Sequence, residues 1–157
     1  MYAATLSGVA FGNGGCHLPH AMSYPVAGMV RDFQPFGYST DEPICPHGMS
    51  VIVNAPAAYR FTSAAAPERH FEGAALLGAD TADAVPTEAG EILAEHLAEM
   101  MQQTDMPNGV GGVGFDGTDI DNLVAGALVQ QRLLSVSPRE VQKEDLRSIY
   151  SAALRYW

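Results

Sequence analysis

A stretch near the start of the chain, GCHLPHAMSYP at residues 15–25, concentrates side chains that bind transition metals. It holds Cys16 and His20, and a second cysteine and histidine, Cys45 and His47, follow after a loop. Two imidazoles from neighbouring helices would supply half of a tetrahedral or octahedral metal site. The residues alone leave three alternatives open: this half-site, a structural Cys₂His₂ zinc site formed by all four side chains, and a turn that binds no metal.

Composition limits the classes to which the protein can belong. The 157 residues are 47% hydrophobic and 17% charged, which is typical of one globular domain. A net charge of −10, with only 8 Lys and Arg, argues against binding to nucleic acid or to an anionic membrane. The first 15 residues have no basic region, and glycines interrupt their apolar run. We therefore expect neither a signal peptide nor a membrane span, and a cytoplasmic location.

The first third of the chain is predicted to be helical with one long loop. Residues 2–13 are small and apolar on all sides, the pattern of a helix buried on most sides. A bend at SYP and a surface loop to about residue 47 follow from the density of Pro and Gly. Residues 47–63 suit a helix kinked near Pro56, although the run SVIV within them would also suit a short strand.

Amphipathic patterns with a 3.6-residue period dominate the rest of the chain. Thr87 and Asp119 are suited to cap helices at their N-termini, and Gly78 to end one in a left-handed conformation. The predicted helices span residues 67–78, 88–103, 120–131 and 143–157. The fold class expected from these patterns is all-α.

Three other features could be mistaken for functional sites. GVGGVG, at residues 109–114, has the GxGxxG spacing of a dinucleotide-binding loop. Such a loop needs a buried strand before it and a helix that begins within the glycines, and the flanking sequence predicts neither. We interpret it as a flexible connection between helices. His70 and His96 lie within amphipathic helices, where an internally bonded or partly exposed side chain is expected rather than a metal ligand.

Five strings of the sequence occur, in the same order, in one known enzyme family. They are GVAFGNGGCHLPHAMSYPVAG, PHGMSVIVNAP, APERHFEGAALLGADT, DIDNLVAGAL and SPREVQKEDLRSIYSAAL. With them the chain resembles the iron-containing (group III) alcohol dehydrogenases over essentially its whole length. It is most similar to their hydroxyacid–oxoacid transhydrogenase branch, in which GNAGxHLxHGMSYP-like and PHGxSV strings recur.

This resemblance implies the helical, bundle-like C-terminal domain of the dehydroquinate synthase-like fold. In the family an N-terminal Rossmann-like domain binds NAD(P), and the helical domain binds Fe²⁺ or Zn²⁺ through one Asp and three His. The last two ligands match His20 and His47. The other two come from a DxxxH motif that this sequence does not contain, and the GGGS-type pyrophosphate loop is not present either. We therefore expect residues 1–157 to form a single metal-binding domain without the nucleotide domain.

The resemblance also suggests roles for residues around the ligands. Tyr24 stands where relatives outside the branch often carry a histidine beside the nicotinamide, so it is the expected cofactor-binding residue. No catalytic residue is assigned. Phe11 matches an aromatic side chain of the substrate pocket. The two cysteines receive no ligand role, and His17 is expected to orient a neighbouring group by hydrogen bonding.

The implied activity is metal-assisted hydride transfer between NAD(P) and a small hydroxy acid, alcohol or aldehyde. In the transhydrogenase branch a 4-hydroxy acid such as 4-hydroxybutyrate is oxidised, and a 2-oxo acid such as 2-oxoglutarate is reduced. The chain alone is expected to bind metal weakly and to be inactive, and to form a homodimer or to pair with a nucleotide-binding half. The alternative is a non-enzymatic helical domain that self-associates or holds structural zinc at Cys16, His20, Cys45 and His47.

Overall fold

The computed structural model describes residues 1–39 and 41–157, and within these ranges the regular structure is entirely helical. The helices are α1 (Tyr2–Gly14), α2 (Leu18–Gly28), α3 (His47–Ile52), α4 (Ala55–Thr62), α5 (Pro67–Leu77), α6 (Ala89–Gln103), α7 (Ile120–Leu128), α8 (Gln131–Leu134) and α9 (Lys143–Ala152). The all-α prediction is confirmed. In the described part of the chain, every helix is too short or too polar to span a membrane.

Helix α2 lies at the centre of the main core, where α3, α7 and α8 pack against it. Leu18, Met22 and Val26 on α2 are completely buried. The bend expected at SYP is wrong, because α2 continues through Pro25 to Gly28. The buried Pro25 ring lies so close to Gly126 of α7 that a Cβ at Gly126 would come 2.5 Å from the Pro25 Cβ. This tight packing offsets part of the cost of the hydrogen bond that proline cannot donate.

The remaining helices build outward from this core. Helix α6 packs against α4 and α5, with a smaller cluster formed by Ala74, Leu93 and Leu97 between α5 and α6. Helix α9 packs against α7 and α4 and buries Tyr150 completely. The Tyr150 hydroxyl donates a hydrogen bond of 2.8 Å to the Met22 carbonyl oxygen and so ties α9 to α2.

The segment after the long loop is helical, and the strand alternative for SVIV is wrong. It forms two helices rather than one kinked helix, because α3 ends at Ile52 and α4 begins at Ala55. Pro56 lies in the first turn of α4, where its missing N–H would have had no partner within the helix. The proline therefore marks a helix start instead of a kink.

The predicted helix ends are confirmed in one case and corrected in two. Gly78 follows α5 with a left-handed φ of 101°, as expected. Thr87 is not a cap, because it lies in a 3₁₀ turn at Pro86–Glu88 that precedes α6. The Glu88 carboxylate accepts a hydrogen bond of 3.0 Å from the Val85 N–H and closes that turn.

Asp119 precedes α7, but its carboxylate does not cap the helix. It instead accepts two hydrogen bonds of 2.8 Å from the Arg31 guanidinium and one of 3.0 Å from the Asp116 N–H. Arg31 also donates to the Gly114 carbonyl oxygen at 2.7 Å. These bonds hold the pKa of Asp119 below its ordinary value and fix the chain after α2 against the start of α7.

The glycine-rich segment at residues 109–114 connects helices, as expected, but it is a closely packed segment rather than a flexible one. The Val110 and Gly111 N–H groups donate hydrogen bonds of 2.8 and 3.0 Å to the carbonyl oxygens of Ala153 and Leu154. A Cβ at Gly111 would lie 2.6 Å from the Leu154 oxygen. The glycines therefore allow close approach to the end of α9, and no strand of the described chain precedes them.

Helix α1 forms where it was predicted, but the expectation that it is buried is wrong. None of its residues is buried, and Leu6 and Val9 are 51% and 60% exposed. An apolar pattern on all sides predicts that other parts of a protein pack on the helix, but it does not identify those parts. Within the described chain, the other helices leave most of the α1 surface open.

The Tyr150 hydrogen bond gives a direct test of this core. Tyr150→Phe removes a buried hydroxyl and leaves the Met22 carbonyl without that donor, so the free energy of unfolding should fall by about 1–2 kcal/mol. Tyr38→Phe, at a half-exposed tyrosine, is the matched control and should change stability little. Urea unfolding of both variants measures the difference, and equal stability would show that the bond does not hold α9 to α2.

Candidate metal centre

His20 and His47 come together in the fold although a loop of 18 residues, from Met29 to Pro46, separates their helices. His20 lies in the first turn of α2, and His47 is the first residue of α3. Their imidazole centroids are 5.3 Å apart, and the ring planes are inclined by 55°. Packing of α3 on α2 brings the two helix starts side by side.

The two imidazoles lie on the wall of a cleft of about 660 Å³. All four residues that the sequence singled out as site residues line it: Phe11, His20, Tyr24 and His47. The complete lining is Ser7, Phe11, Gly12, Gly15, Cys16, His20, Tyr24, His47, Arg132 and Leu133. It contains no carboxylate side chain. The cleft thus combines imidazole donors, two aromatic rings and a single guanidinium.

The electrostatics of the pair favour the neutral form of His20. Burial lowers the pKa of His20 below its ordinary value, and the neighbouring His47 lowers it further. In the described part of the chain, neither imidazole has a hydrogen-bond partner on its ring nitrogens; only their backbone carbonyl oxygens accept bonds, from Ser23 and Ser50. A histidine binds a metal through a nitrogen that carries no proton, and the ring nitrogens of both residues are free of protein partners in the described chain.

The donor set of the cleft is incomplete by itself. Among residues 1–39 and 41–157, no three His, Cys, Asp or Glu side chains are close enough together to hold a metal ion. A structural Cys₂His₂ site is therefore not formed in the described chain. Cys45 is buried in the main core and does not line the cleft, and burial raises the pKa of its thiol to about 11.

His17 does not take the orienting role expected of it. Its ring lies edge-on to Tyr59, with centroids 6.2 Å apart, and lines a different, apolar groove. Its buried Nδ1 has no hydrogen-bond partner in the described chain. Burial lowers the pKa of His17, and the charges of His20 and His70 lower it further. The reason for the difference is that α2 begins at Leu18, so His17 lies before the helix and its ring packs against Tyr59 in the other groove.

The other two histidines are internally bonded, as expected. His70 is buried; its Nδ1 donates to the Ala66 carbonyl oxygen at 2.8 Å, and its Nε2 accepts from the Thr62 hydroxyl at 2.8 Å. The Ala66 oxygen can only accept, which fixes the proton on Nδ1. His96 Nε2 lies 3.0 Å from the Leu77 carbonyl oxygen. Both histidines are therefore occupied with helix packing.

Sequence reasoning missed Arg132, which lines the cleft beside the two histidines. The predicted helix over 120–131 ended one residue before it. In the structure α7 ends at Leu128 and the short α8 begins at Gln131, which turns Arg132 and Leu133 toward the cleft. No motif in the sequence marks this residue, since its position depends on the break between α7 and α8.

Comparison with protein families and curated proteins gives consistent matches. Residues 1–154 match the Fe-containing alcohol dehydrogenase family, C-terminal. The chain is 40% identical over 155 residues to the mitochondrial hydroxyacid–oxoacid transhydrogenase of Bos taurus, and 39% identical to that of Homo sapiens. In both cases the match covers 99% of this chain and 33% of the relative. The chain thus spans about a third of the length of these relatives.

Solved structures show the same helical fold. A 1,3-propanediol oxidoreductase superposes with a TM-score of 0.80 at 24% identity, over 97% of this chain and 36% of that one. An alcohol dehydrogenase from Oenococcus oeni superposes with a TM-score of 0.79 at 26% identity, over 94% of this chain and 35% of that one. The expected fold, the helical C-terminal domain of such enzymes, is therefore confirmed.

The expected cytoplasmic location is wrong. The Bos taurus and Homo sapiens relatives and a probable transhydrogenase from Dictyostelium discoideum, 38% identical to this chain, are all described as mitochondrial. The expectation rested on the composition of the first 15 residues, which carries no information about targeting when the relatives are about three times as long.

The two cysteines should differ sharply in reactivity. Because burial raises the pKa of the Cys45 thiol to about 11, its alkylation by iodoacetamide should be slow near neutral pH and accelerate as the pH approaches that value. Cys16, half-buried on the cleft wall, should react first. Mass spectrometry of Cys16→Ser and Cys45→Ser, each with one remaining thiol, measures the two rates. Equal rates near neutral pH would contradict the placement of Cys45.

Proposed function

The chain belongs to the iron-containing alcohol dehydrogenase family, and from this we propose that it forms the metal-holding half of an oxidoreductase active site. The observation that carries the proposal is the His20–His47 pair, whose rings lie 5.3 Å apart on the wall of the cleft. The pair supplies two borderline nitrogen donors, which suit Fe²⁺ or Zn²⁺. The lining of the cleft contains no acidic side chain that would form an ion pair with these imidazoles.

A divalent metal bound at this pair would act as a Lewis acid on the oxygen of an alcohol or carbonyl group. His20 and His47 would hold it as neutral ligands, His20 being favoured in that form by its lowered pKa. Two imidazoles fill only half of a tetrahedral shell. We assign the remaining ligands to the DxxxH motif of the family, which this sequence does not contain, so this chain alone binds the metal weakly and does not turn over substrate.

The other lining residues would shape the space around the reacting carbon. Phe11 on α1 and Leu133 on α8 give the cleft apolar walls that exclude water from the hydride path. Tyr24 is 49% exposed at the cleft, and we assign it to the contact with the nicotinamide of NAD(P). The position thus provides a phenol ring and no imidazole.

The substrates we propose are hydroxy acids and oxo acids. The support is the 37–41% identity to several hydroxyacid–oxoacid transhydrogenases, together with the guanidinium of Arg132 in the cleft. In that reaction one acid would be oxidised at its hydroxyl carbon and a second acid reduced at its carbonyl carbon, and bound NAD(P) would supply the hydride-carrying chemistry. The same relatives support a mitochondrial setting.

Helix α1 would be covered in the complete enzyme. Its apolar side chains are exposed in the described chain. Exposed apolar patches of this kind commonly mark interaction surfaces. Because α1 also contributes Ser7 and Phe11 to the cleft, a domain packed on α1 would lie next to the metal pair. That position suits the nucleotide-binding half, which must place the nicotinamide near the metal.

Metal binding by the chain tests the proposal. His20→Ala and His47→Ala should each weaken the binding of Zn²⁺ by at least roughly 10-fold, because each removes one of the two imidazole donors. Isothermal titration calorimetry of the chain with Zn²⁺ measures the affinity.

His96→Ala is the matched control, since it removes a histidine that lies outside the cleft. Cys16→Ser and Cys45→Ser should also keep the affinity of the unaltered chain. Loss of zinc with the cysteines, and not with the histidines, would refute the proposed site and favour structural zinc.

A further inference from the structure

We propose that Arg132 binds the carboxylate of the substrate, and so makes the cleft selective for hydroxy acids and oxo acids over neutral alcohols. The proposal rests on the function proposed above and adds a residue that determines substrate class. Three observations carry it: where Arg132 lies, what its guanidinium contacts, and which charges surround it.

Arg132 is exceptional among the arginines of this chain, of which there are seven. The guanidinium groups of the other six each have a partner. Four pair with carboxylates, namely Arg31 with Asp119, Arg60 with Glu91, Arg69 with Glu72 and Arg147 with Asp121, and two donate to backbone carbonyl oxygens, Arg139 to Phe61 and Arg155 to Trp157. In residues 1–39 and 41–157, the guanidinium of Arg132 has no hydrogen bond or ion pair. Its donors therefore remain available to a ligand.

The charge balance makes an unpaired arginine at this position notable. The chain carries 18 acidic residues against 8 basic ones, so most arginines could find a carboxylate partner. None of the residues that line the cleft is acidic. The guanidinium thus faces a space where an incoming anion meets no competing carboxylate from the lining. An arginine fork binds a carboxylate through two parallel N–H donors, which fixes its orientation as well as its position.

The backbone that carries Arg132 is well anchored. Leu133 and Leu134 on the same short helix are buried in the main core. The Ser135 hydroxyl donates to the Arg132 carbonyl oxygen at 3.2 Å, and the Gln131 side chain donates to the Leu128 carbonyl oxygen at 2.6 Å. Helix α8 also packs against α2, which carries His20. The helix that carries Arg132 is therefore packed directly against the helix that carries His20.

This arrangement gives the cleft two points of recognition for one small molecule. The imidazole pair would hold a hydroxyl or carbonyl oxygen, and Arg132, which lines the same cleft, would bind the carboxylate. A neutral alcohol would engage only the first point. The cleft volume of about 660 Å³ leaves room for a short acid to occupy both.

The test compares two probes of the same length on the metal-free chain. 4-Hydroxybutyrate carries a carboxylate, and 1,4-butanediol replaces it with a hydroxyl. NMR titrations of the ¹⁵N-labelled chain should show binding of the acid roughly 10- to 100-fold tighter than of the diol, with the largest shifts at Arg132 and its cleft neighbours. Arg132→Gln should abolish this preference, and Arg132→Lys should retain part of it.

Arg69→Gln is the matched control because it removes one positive charge at a residue that does not line the cleft. It should keep the preference for the acid. A preference that persists in Arg132→Gln, or no preference in the unaltered chain, would overturn the proposal.

The metal-free titration also separates this proposal from the function proposed above. If the histidine variants keep full zinc affinity while Arg132→Gln loses the acid, the metal site fails and the carboxylate site stands. If the histidine variants lose zinc while Arg132→Gln still prefers the acid, only the role of Arg132 fails.

Discussion

Helix α2 has to lie between α3, α7 and α8 before the residues of the cleft can meet. Its buried face includes Leu18, Met22 and Val26, and the Tyr150 hydroxyl bonds to it from α9. This burial leaves the first turn of α2 at the edge of the core, where His20 emerges into the cleft. Helix α3 then brings His47 beside it. The metal pair is thus a consequence of how one helix is packed, since no hydrogen bond in the described chain holds the two rings.

The separation of roles within the cleft follows from the same packing. Two imidazole donors come from helix starts, the apolar wall comes from Phe11 and Leu133, and the positive charge comes from Arg132, beyond the end of α7. The lining of the cleft provides nitrogen donors but no carboxylate, so the metal site that we propose needs further ligands. The exposed surface of α1 next to the cleft is consistent with the same requirement. The fold therefore brings together two imidazoles, an apolar wall and one guanidinium in a single cleft.

Periodic apolar positions in the sequence were enough to predict α5, α6, α7 and α9. The residues around His20 and His47 left several kinds of site open, and only the resemblance to a known family selected these two imidazoles. The sequence patterns could not show which residues come into contact in the folded chain. They placed a bend at Pro25, which lies inside α2 because Gly126 leaves room for its ring. They also gave no sign of Arg132, whose direction depends on the break between α7 and α8.

The two cysteines show why spacing alone is a weak guide to metal ligands. The spacing CxxxH followed by CxH fits a zinc site, but burial of Cys45 in the core takes its thiol away from the cleft and raises its pKa to about 11. X-ray absorption spectroscopy of the zinc-loaded chain tests this central point most directly. We predict a first shell of nitrogen and oxygen only, with the multiple scattering of imidazole and bonds of about 2.0–2.1 Å. A sulfur shell at about 2.3 Å would contradict the assignment of the site to His20 and His47.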